Sequence, residues 1–313
     1  MLRILSLVLV IMLFGCSTER SQNEGADLPD FDALWDYNHP DSTEARMRDL
    51  VPVAEAAGDR SYLAQLMTQI ARTQGLQMRF DDAHRTLDGV KVMLTDDMPV
   101  VEIRYLLERG RVYNSAGLPD SARPLFLAAW DAALKAKEDF YAVDAAHMMA
   151  IIEPPEEQLA WAGKAMEVAE ASADERAKRW LGPLYNNTGW TYHDLGDHER
   201  ALEFFDKALA WNRQYGSPEG VRIARWTVAR EYRSLGRVEE ALSLQKDLER
   251  EIREAEVETD GYVFEEIAEC LLLLGRDDEA KPYFALAYEH LSQDPWLVAN
   301  QAERLTRLEE LSR

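Results

Sequence analysis

Cysteine is nearly absent from this chain of 313 residues: Cys16 and Cys270 are the two present, which excludes a disulfide framework and a cysteine-rich metal site. Positive charge is also scarce, 35 basic against 57 acidic side chains for a net charge of -22. Such a surface repels nucleic acid and anionic headgroups, so a phosphate-backbone partner is excluded. The sequence contains no Walker loop, no G-x-G-x-x-G fingerprint, no G-x-S-x-G elbow and no H-E-x-x-H pair. The reading is therefore a non-enzymatic protein with no cofactor. The six histidines are scattered, and His193 and His198 stand five apart across an expected helix break, a poor spacing for a metal, so no metal ligand is assigned. Cys270, inside "ECLLLLG", reads as a small buried apolar residue. Long apolar runs are missing too, except for Ile4 to Phe14. That run is too short to span a bilayer comfortably and suits the core of a signal peptide.

The leader is "MLRILSLVLVIMLFGC", with Arg3 ahead of the apolar run and Leu13-Phe14-Gly15-Cys16 at its end. This ending resembles the lipobox of bacterial lipoproteins, with Phe14 bulkier than the small residue usual there. The resemblance implies that residues 1–15 are removed and that Cys16 carries the lipid anchor, several acyl chains being needed for a stable hold. Ser17 is not the aspartate associated with inner-membrane retention. The implied location is the cell envelope, facing the periplasm from the outer membrane where the cell has one. "STERSQNEGADLPD", Ser17 to Asp30, is polar and aperiodic and reads as a flexible tether. Fourteen such residues reach roughly 20 Å.

What fills the rest, residues 31–313, is one motif repeated. "YHDLGDHERALEFF" from Tyr192 aligns with "YRSLGRVEEALSLQ" from Tyr232, "LLLLGRDDEAKPYF" from Leu271, "YNSAGLPDSARPLF" from Tyr113 and a looser "RFDDAHRTL" around Ala83. The recurring alanines are Ala83, Ala122, Ala201, Ala241 and Ala280, and the double gap hides a degraded copy, "PPEEQLAWAGKAM", near Gln158. A fixed period near 40 residues is the signature of a solenoid. In the best copy Tyr185, Gly189 and Tyr192 form the packed stripe of a first helix, and Ala201, Phe205 and Ala208 that of a second. Gly196 ends the first helix in a left-handed cap, Asp197 caps the next, and Asp81-Asp82 and Asp277-Asp278 place negative charge where second helices begin.

Gly189, Tyr192, Ala201, Phe205 and Ala208 resemble the signature of the tetratricopeptide repeat. Tyr185 stands for its usual tryptophan, Thr188 for the leucine and Arg213 for the late proline. The long period and the stretch "LYNNTGWTY" are similar to the kinesin-light-chain subclass. The resemblance implies an all-α, right-handed α-solenoid of about six helix-turn-helix repeats. "TEARMRDLVPVAEA" would open it as an unpaired second helix, and "WLVANQAERLTRLEEL" would close it as a polar cap.

The same resemblance places one face of each first helix in a concave groove. The residues so placed are Asn186, Trp190 and His193 in the best copy, Trp226, Arg230 and Arg233 in the next, Arg111 and Asn114 in an earlier one, and Arg72 before that. Asn187 falls where an asparagine grips a bound peptide's main chain. An amide offers donors and an acceptor together, and arginine grips a carboxylate through two bonds. Tryptophan and arginine dominate binding hot spots. The implied function is a lipid-anchored, non-catalytic scaffold that binds a protein or peptide segment, acidic or ending in a free carboxylate. Three alternatives stand against it: a receptor for a small molecule or free peptide in the same groove, an enzyme with unrecognised chemistry, which the missing motifs disfavour, and a groove closed by the protein's own tail or by a second copy of the chain.

Overall fold

A computed structural model of the chain describes residues 28–255 and 261–313; the leader, Cys16 and most of the tether lie outside them. Among the described residues the structure is helical with no strand, and no helix is long and apolar enough to cross a membrane. The fold class is the all-α, tetratricopeptide-like solenoid of stacked helix pairs. The chain divides into two compact units, the first ending at Lys178 and the second running from Arg179 to Arg313.

The first unit opens with a 3-10 turn, Phe31–Leu34, then α1 (Pro40–Asp49) and α2 (Val51–Ala57). Three antiparallel pairs follow: α3 (Arg60–Leu76) with α4 (Phe80–Met93), α5 (Pro99–Ser115) with α6 (Pro119–Ala136), and α7 (Asp139–Ile152) with α8 (Pro155–Ala171); α9 (Glu175–Lys178) ends the unit. The stretch read as one opening helix is thus two, because Leu50 interrupts it and Pro52 starts the second within its first turn. The degraded copy is a complete pair: Glu153 and Pro154 are extended, which ends α7 and lets Pro155 begin α8. Phe31 stacks edge-on against Tyr62 at 5.1 Å and closes a cluster with Met47, Leu66 and Ile70. Asp32 pairs with Arg104 on α5, whose Nε donates to the Tyr141 hydroxyl of α7 at 2.7 Å. The turn is thereby tied to two successive repeats.

The second unit contains α10 (Leu181–Asp194), α11 (His198–Tyr215), α12 (Pro218–Ser234), α13 (Val238–Glu254), α14 (Gly261–Leu273), α15 (Asp277–Leu291), α16 (Pro295–Asn300) and α17 (Ala302–Leu311). Its packing key is glycine against a ring. A Cβ added at Gly189 would lie 2.6 Å from the Phe205 ring, so only hydrogen there lets α10 and α11 approach with that phenylalanine between them. Phe205 is fully buried, as are its repeat equivalents Phe126 and Phe284. Burying such a ring contributes roughly 2–3 kcal/mol. In the copy between, Gln245 takes the ring's place: it is buried, its Nε2 lies 3.5 Å from the Trp226 carbonyl, and its Oε1 has no partner among the described residues. The closing helix buries Leu305 and Leu308 in the last cluster, and Arg304 and Arg307 pair with Glu265 and Glu269 of α14.

The turns follow the repeat. Gly196 joins α10 to α11 with φ +78°, and Asp197 accepts from the Arg200 N–H at 3.2 Å as the N-cap. The equivalent of that glycine in the α3–α4 pair is Met78, a methionine held at φ 58°. The looser first copy keeps the turn without the residue that suits it. Cys270 is fully buried, and burial pushes its thiol up to about 12, which makes it an inert packing residue.

Candidate functional site

The residues expected in the groove all lie on first helices of the pairs: α3 and α5 in the first unit, α10 and α12 in the second. Their surroundings differ sharply. In α10 the Asn186 amide nitrogen lies 3.5 Å from Asn187 Oδ1, a weak contact between two half-buried side chains. One turn on, half-buried Trp190 packs edge-on against Phe205 at 5.2 Å and lies 6.1 Å from Trp226 of α12. Trp226 in turn donates its Nε1 to the Tyr262 carbonyl at 3.2 Å. Two tryptophans from successive first helices thus meet as a partly exposed aromatic pair, with the Arg230 guanidinium 5.9 Å above the Trp190 ring. Asn186 and Asn187 flank it.

The arginines answer carboxylates inside the array. Arg230 donates to Glu266 Oε1 at 2.5 Å, and Arg233 Nε donates to Glu266 Oε2 at 2.7 Å. In the first unit Arg72 reaches Glu108 at 3.4 Å beneath the stacked rings of Trp35 and Tyr37, and Arg111 bridges Glu108 at 2.7 Å and Asp144. A rule emerges: an arginine on one first helix meets an acid on the first helix of the next pair, 33 or 36 residues further on. Burial works against the charge of Arg233, yet the hydrogen bond and charge of Glu266 outweigh it and hold the guanidinium above its ordinary range. Burial likewise opposes ionisation of Glu266, and its two arginines overcome it, so the carboxyl lies below its usual value. With two guanidiniums on one carboxylate, this cluster keeps one net positive charge. Along Arg72, Glu108, Arg111 and Asp144 the charges balance. Glu265 and Glu269 of α14 are paired with Arg304 and Arg307 of the closing helix.

Two more expected residues have distinct places. Asn114 is half-buried and its Oδ1, shielded from water, has no partner among the described residues. His193 turns to Glu231 of α12, 2.5 Å from Nδ1 to Oε2, and His198 reaches the other oxygen of the same carboxylate at 2.6 Å. The spacing of the two histidines considered alone had no reason to include Glu231. The Gly196 turn folds one histidine toward the other, and the carboxylate arrives from the next repeat.

With this geometry in view, the comparisons are informative. The tetratricopeptide repeat family matches residues 181–250, which span α10 to α13 and hold the aromatic pair. That family is an interaction repeat, not an enzymatic one. A comparison with curated proteins finds no match. Among solved structures, the chain is similar to a signal transduction ATPase with numerous domains, carrying a tetratricopeptide repeat sensor, from Pyrococcus horikoshii: TM-score 0.65, 16% identity, 86% of this chain and 41% of that one. It therefore spans less than half of that protein. The apo form of RapI gives a TM-score of 0.63 at 12% identity, covering 85% of this chain and 77% of that one. BtubC from P. vanneervenii gives 0.55 at 16% identity, over 72% and 92% of the two chains. These likenesses establish the fold.

Proposed function

We propose that the protein is a non-catalytic, lipid-anchored envelope scaffold that binds an extended segment of a partner protein along the first-helix face of its second unit. The observation that supports this most is the half-exposed Trp190–Trp226 pair beside Asn186 and Asn187. The tryptophans offer apolar area to a side chain, and the amides offer a donor and an acceptor to a main chain whatever its sequence. The net positive charge left on the Arg230–Arg233–Glu266 cluster favours a segment that is acidic or ends in a carboxylate. Cys16 would be the lipidated residue, tethering the folded chain to the membrane.

The test is a paired affinity capture from crosslinked, gently solubilised envelopes, read by quantitative mass spectrometry. Wild type is compared with an Asn186→Ala, Asn187→Ala, Trp190→Phe variant matched in helicity and melting. Arg230 is left in place, because removing it would strip a partner from buried Glu266. Proteins held by the wild type and lost by the variant support the reading; equal capture moves binding off this face. A melting temperature raised by short peptides or metabolites alone would favour the receptor alternative. Separately, Cys16→Ala should move the protein from the membrane to the soluble fraction, and retention at the membrane would overturn the anchor.

A further inference from the structure

Glu231 breaks the arginine rule. Its side chain is 0% exposed, and among the described residues the side-chain groups that meet its carboxylate are the Nδ1 atoms of His193 and His198. The other buried carboxylates, Glu44, Glu108, Asp144, Glu153, Glu265 and Glu266, each face at least one arginine. Neutral imidazoles supply hydrogen bonds to a carboxylate but no countercharge, and a buried anion without a cation is strongly disfavoured. We propose that His193, His198 and Glu231 form a binding site for a divalent first-row transition-metal cation.

Two imidazole nitrogens and a carboxylate oxygen are a donor set that such ions favour, with one position left for water or another ligand. The three donor atoms lie within 4.8 Å of one another. Ligands around a zinc ion with bonds of about 2.0–2.1 Å stand roughly 3.3 Å apart, so shifts of about 1 Å turn the hydrogen-bonded trio into a coordinating one. The backbone already fixes the approach. His193 lies in the last turn of α10, His198 is the first residue of α11, and the Gly196 turn between them sets the rings 5.3 Å apart over one carboxylate. Exposure rises from 0% at Glu231 through 15% at His193 to 31% at His198, a buried anchor with an open outer side. The Trp190 ring, 5.1 Å from His193, walls one flank. On metal binding each neutral imidazole would shift its proton from Nδ1, where it donates to Glu231, to Nε2, which frees the Nδ1 lone pair for the metal and leaves the ring neutral.

This site does not depend on the peptide reading, and its test is separate. The full chain, with any affinity tag removed and residual metal stripped by a chelator, is titrated with Co²⁺ while the visible d–d absorption is followed. Zn²⁺ affinity is then measured by competition with a chromophoric chelator, and melting is recorded with and without Zn²⁺. One equivalent should bind, with a visible cobalt band and a raised melting temperature. His198→Ala and Glu231→Gln should each weaken Zn²⁺ binding at least tenfold and remove both signatures. His39→Ala, at an exposed histidine of the first unit, should leave them unchanged. If Glu231→Gln does not fold, partly exposed His198 carries the comparison. No cobalt band and no melting shift at micromolar metal, or binding that survives His198→Ala, would overturn the site and leave the trio as hydrogen bonds alone.

Discussion

Glu108 in the first unit and Glu231 in the second are both buried carboxylates on first helices, yet they are answered by different chemistry. Glu108 meets the permanent cations of Arg72 and Arg111, whereas Glu231 meets two imidazoles. A guanidinium cannot be titrated away in the range proteins experience, so the Glu108 network is a fixed strut between successive repeats. Imidazoles carry charge conditionally and bind metals, so the Glu231 cluster is the place where the array can respond to its surroundings. A buried carboxylate on a first helix can thus either lock two helices or leave their junction receptive.

The largest expected effect breaks the strut. Arg111→Met leaves Glu108 with Arg72 at 3.4 Å and removes the partner of Asp144, both carboxylates being buried. It should cost about 3–5 kcal/mol in a denaturant titration, the size found when one member of a buried pair is removed. Glu231→Gln in metal-free protein deletes a buried charge that has no permanent cation, and should be neutral or stabilising by about 1 kcal/mol. Equal losses from the two substitutions would erase the distinction between the clusters.

A pH titration sharpens the same contrast. His147, on α7, is pushed down to about 4 by burial, with Asp144 opposing and Arg111 assisting. Its folded value lies below the unfolded value of about 6.5, so the unfolded chain takes the proton first. The stability His147 contributes is complete above that pH and is lost as pH falls toward its folded value, by about 3 kcal/mol. Glu266 is also depressed, its burial outweighed by Arg233 and Arg230, so its contribution is present above the unfolded carboxyl value of about 4.3 and fades below it. Melting curves should therefore show two acid windows, the upper flattened by His147→Gln and the lower by Glu266→Gln. A single window unaffected by His147→Gln would remove histidine from the acid response.

These contrasts also show what sequence alone can carry. Local packing was legible: Gly189 against Phe205, the Gly196 turn, the Asp197 cap and the alanine stripes all act within one helix pair, where spacing is set by the helical repeat. The loose copies were legible as helices, though Met78 shows where the template was kept in shape and not in residue. Pairings between repeats were not. Arg72 with Glu108 and Arg230 with Glu266 join residues 36 positions apart, and counting arginines on a face without their acids one repeat later made fixed struts look like free cations. The Glu231 cluster hid in the same way, although aligning each polar residue with those 33–38 positions onward would have found it.

Met78 supplies the next prediction. At φ 58° a methionine is in a conformation that glycine adopts freely, and its side chain is exposed, so no packing is lost on replacing it. Met78→Gly should stabilise the protein by up to about 1 kcal/mol, the strain relieved being partly offset by the freer unfolded chain. Gly196→Met, at φ +78° in the second unit, should destabilise it by about the same amount. If Met78→Gly destabilises, the methionine is held by more than the turn.

The smallest expected change in stability belongs to Asn187. Its side chain meets Asn186 at 3.5 Å, the outer limit of a hydrogen bond, and makes none of the ion pairs that stitch one first helix to the next. Asparagine is also a poorer helix former than alanine, so Asn187→Ala should shift stability by no more than about 0.5 kcal/mol, and upward if at all. The contrast with Arg111 and Arg230 is the reason to measure it. At those positions a loss of binding could reflect a loosened array, because each arginine neutralises a buried acid. At Asn187 the folded state has almost nothing to lose. Unchanged melting with loss of the captured partner would assign the amide to recognition, and a large drop in melting would mean that Asn187 serves the helix and not a bound segment.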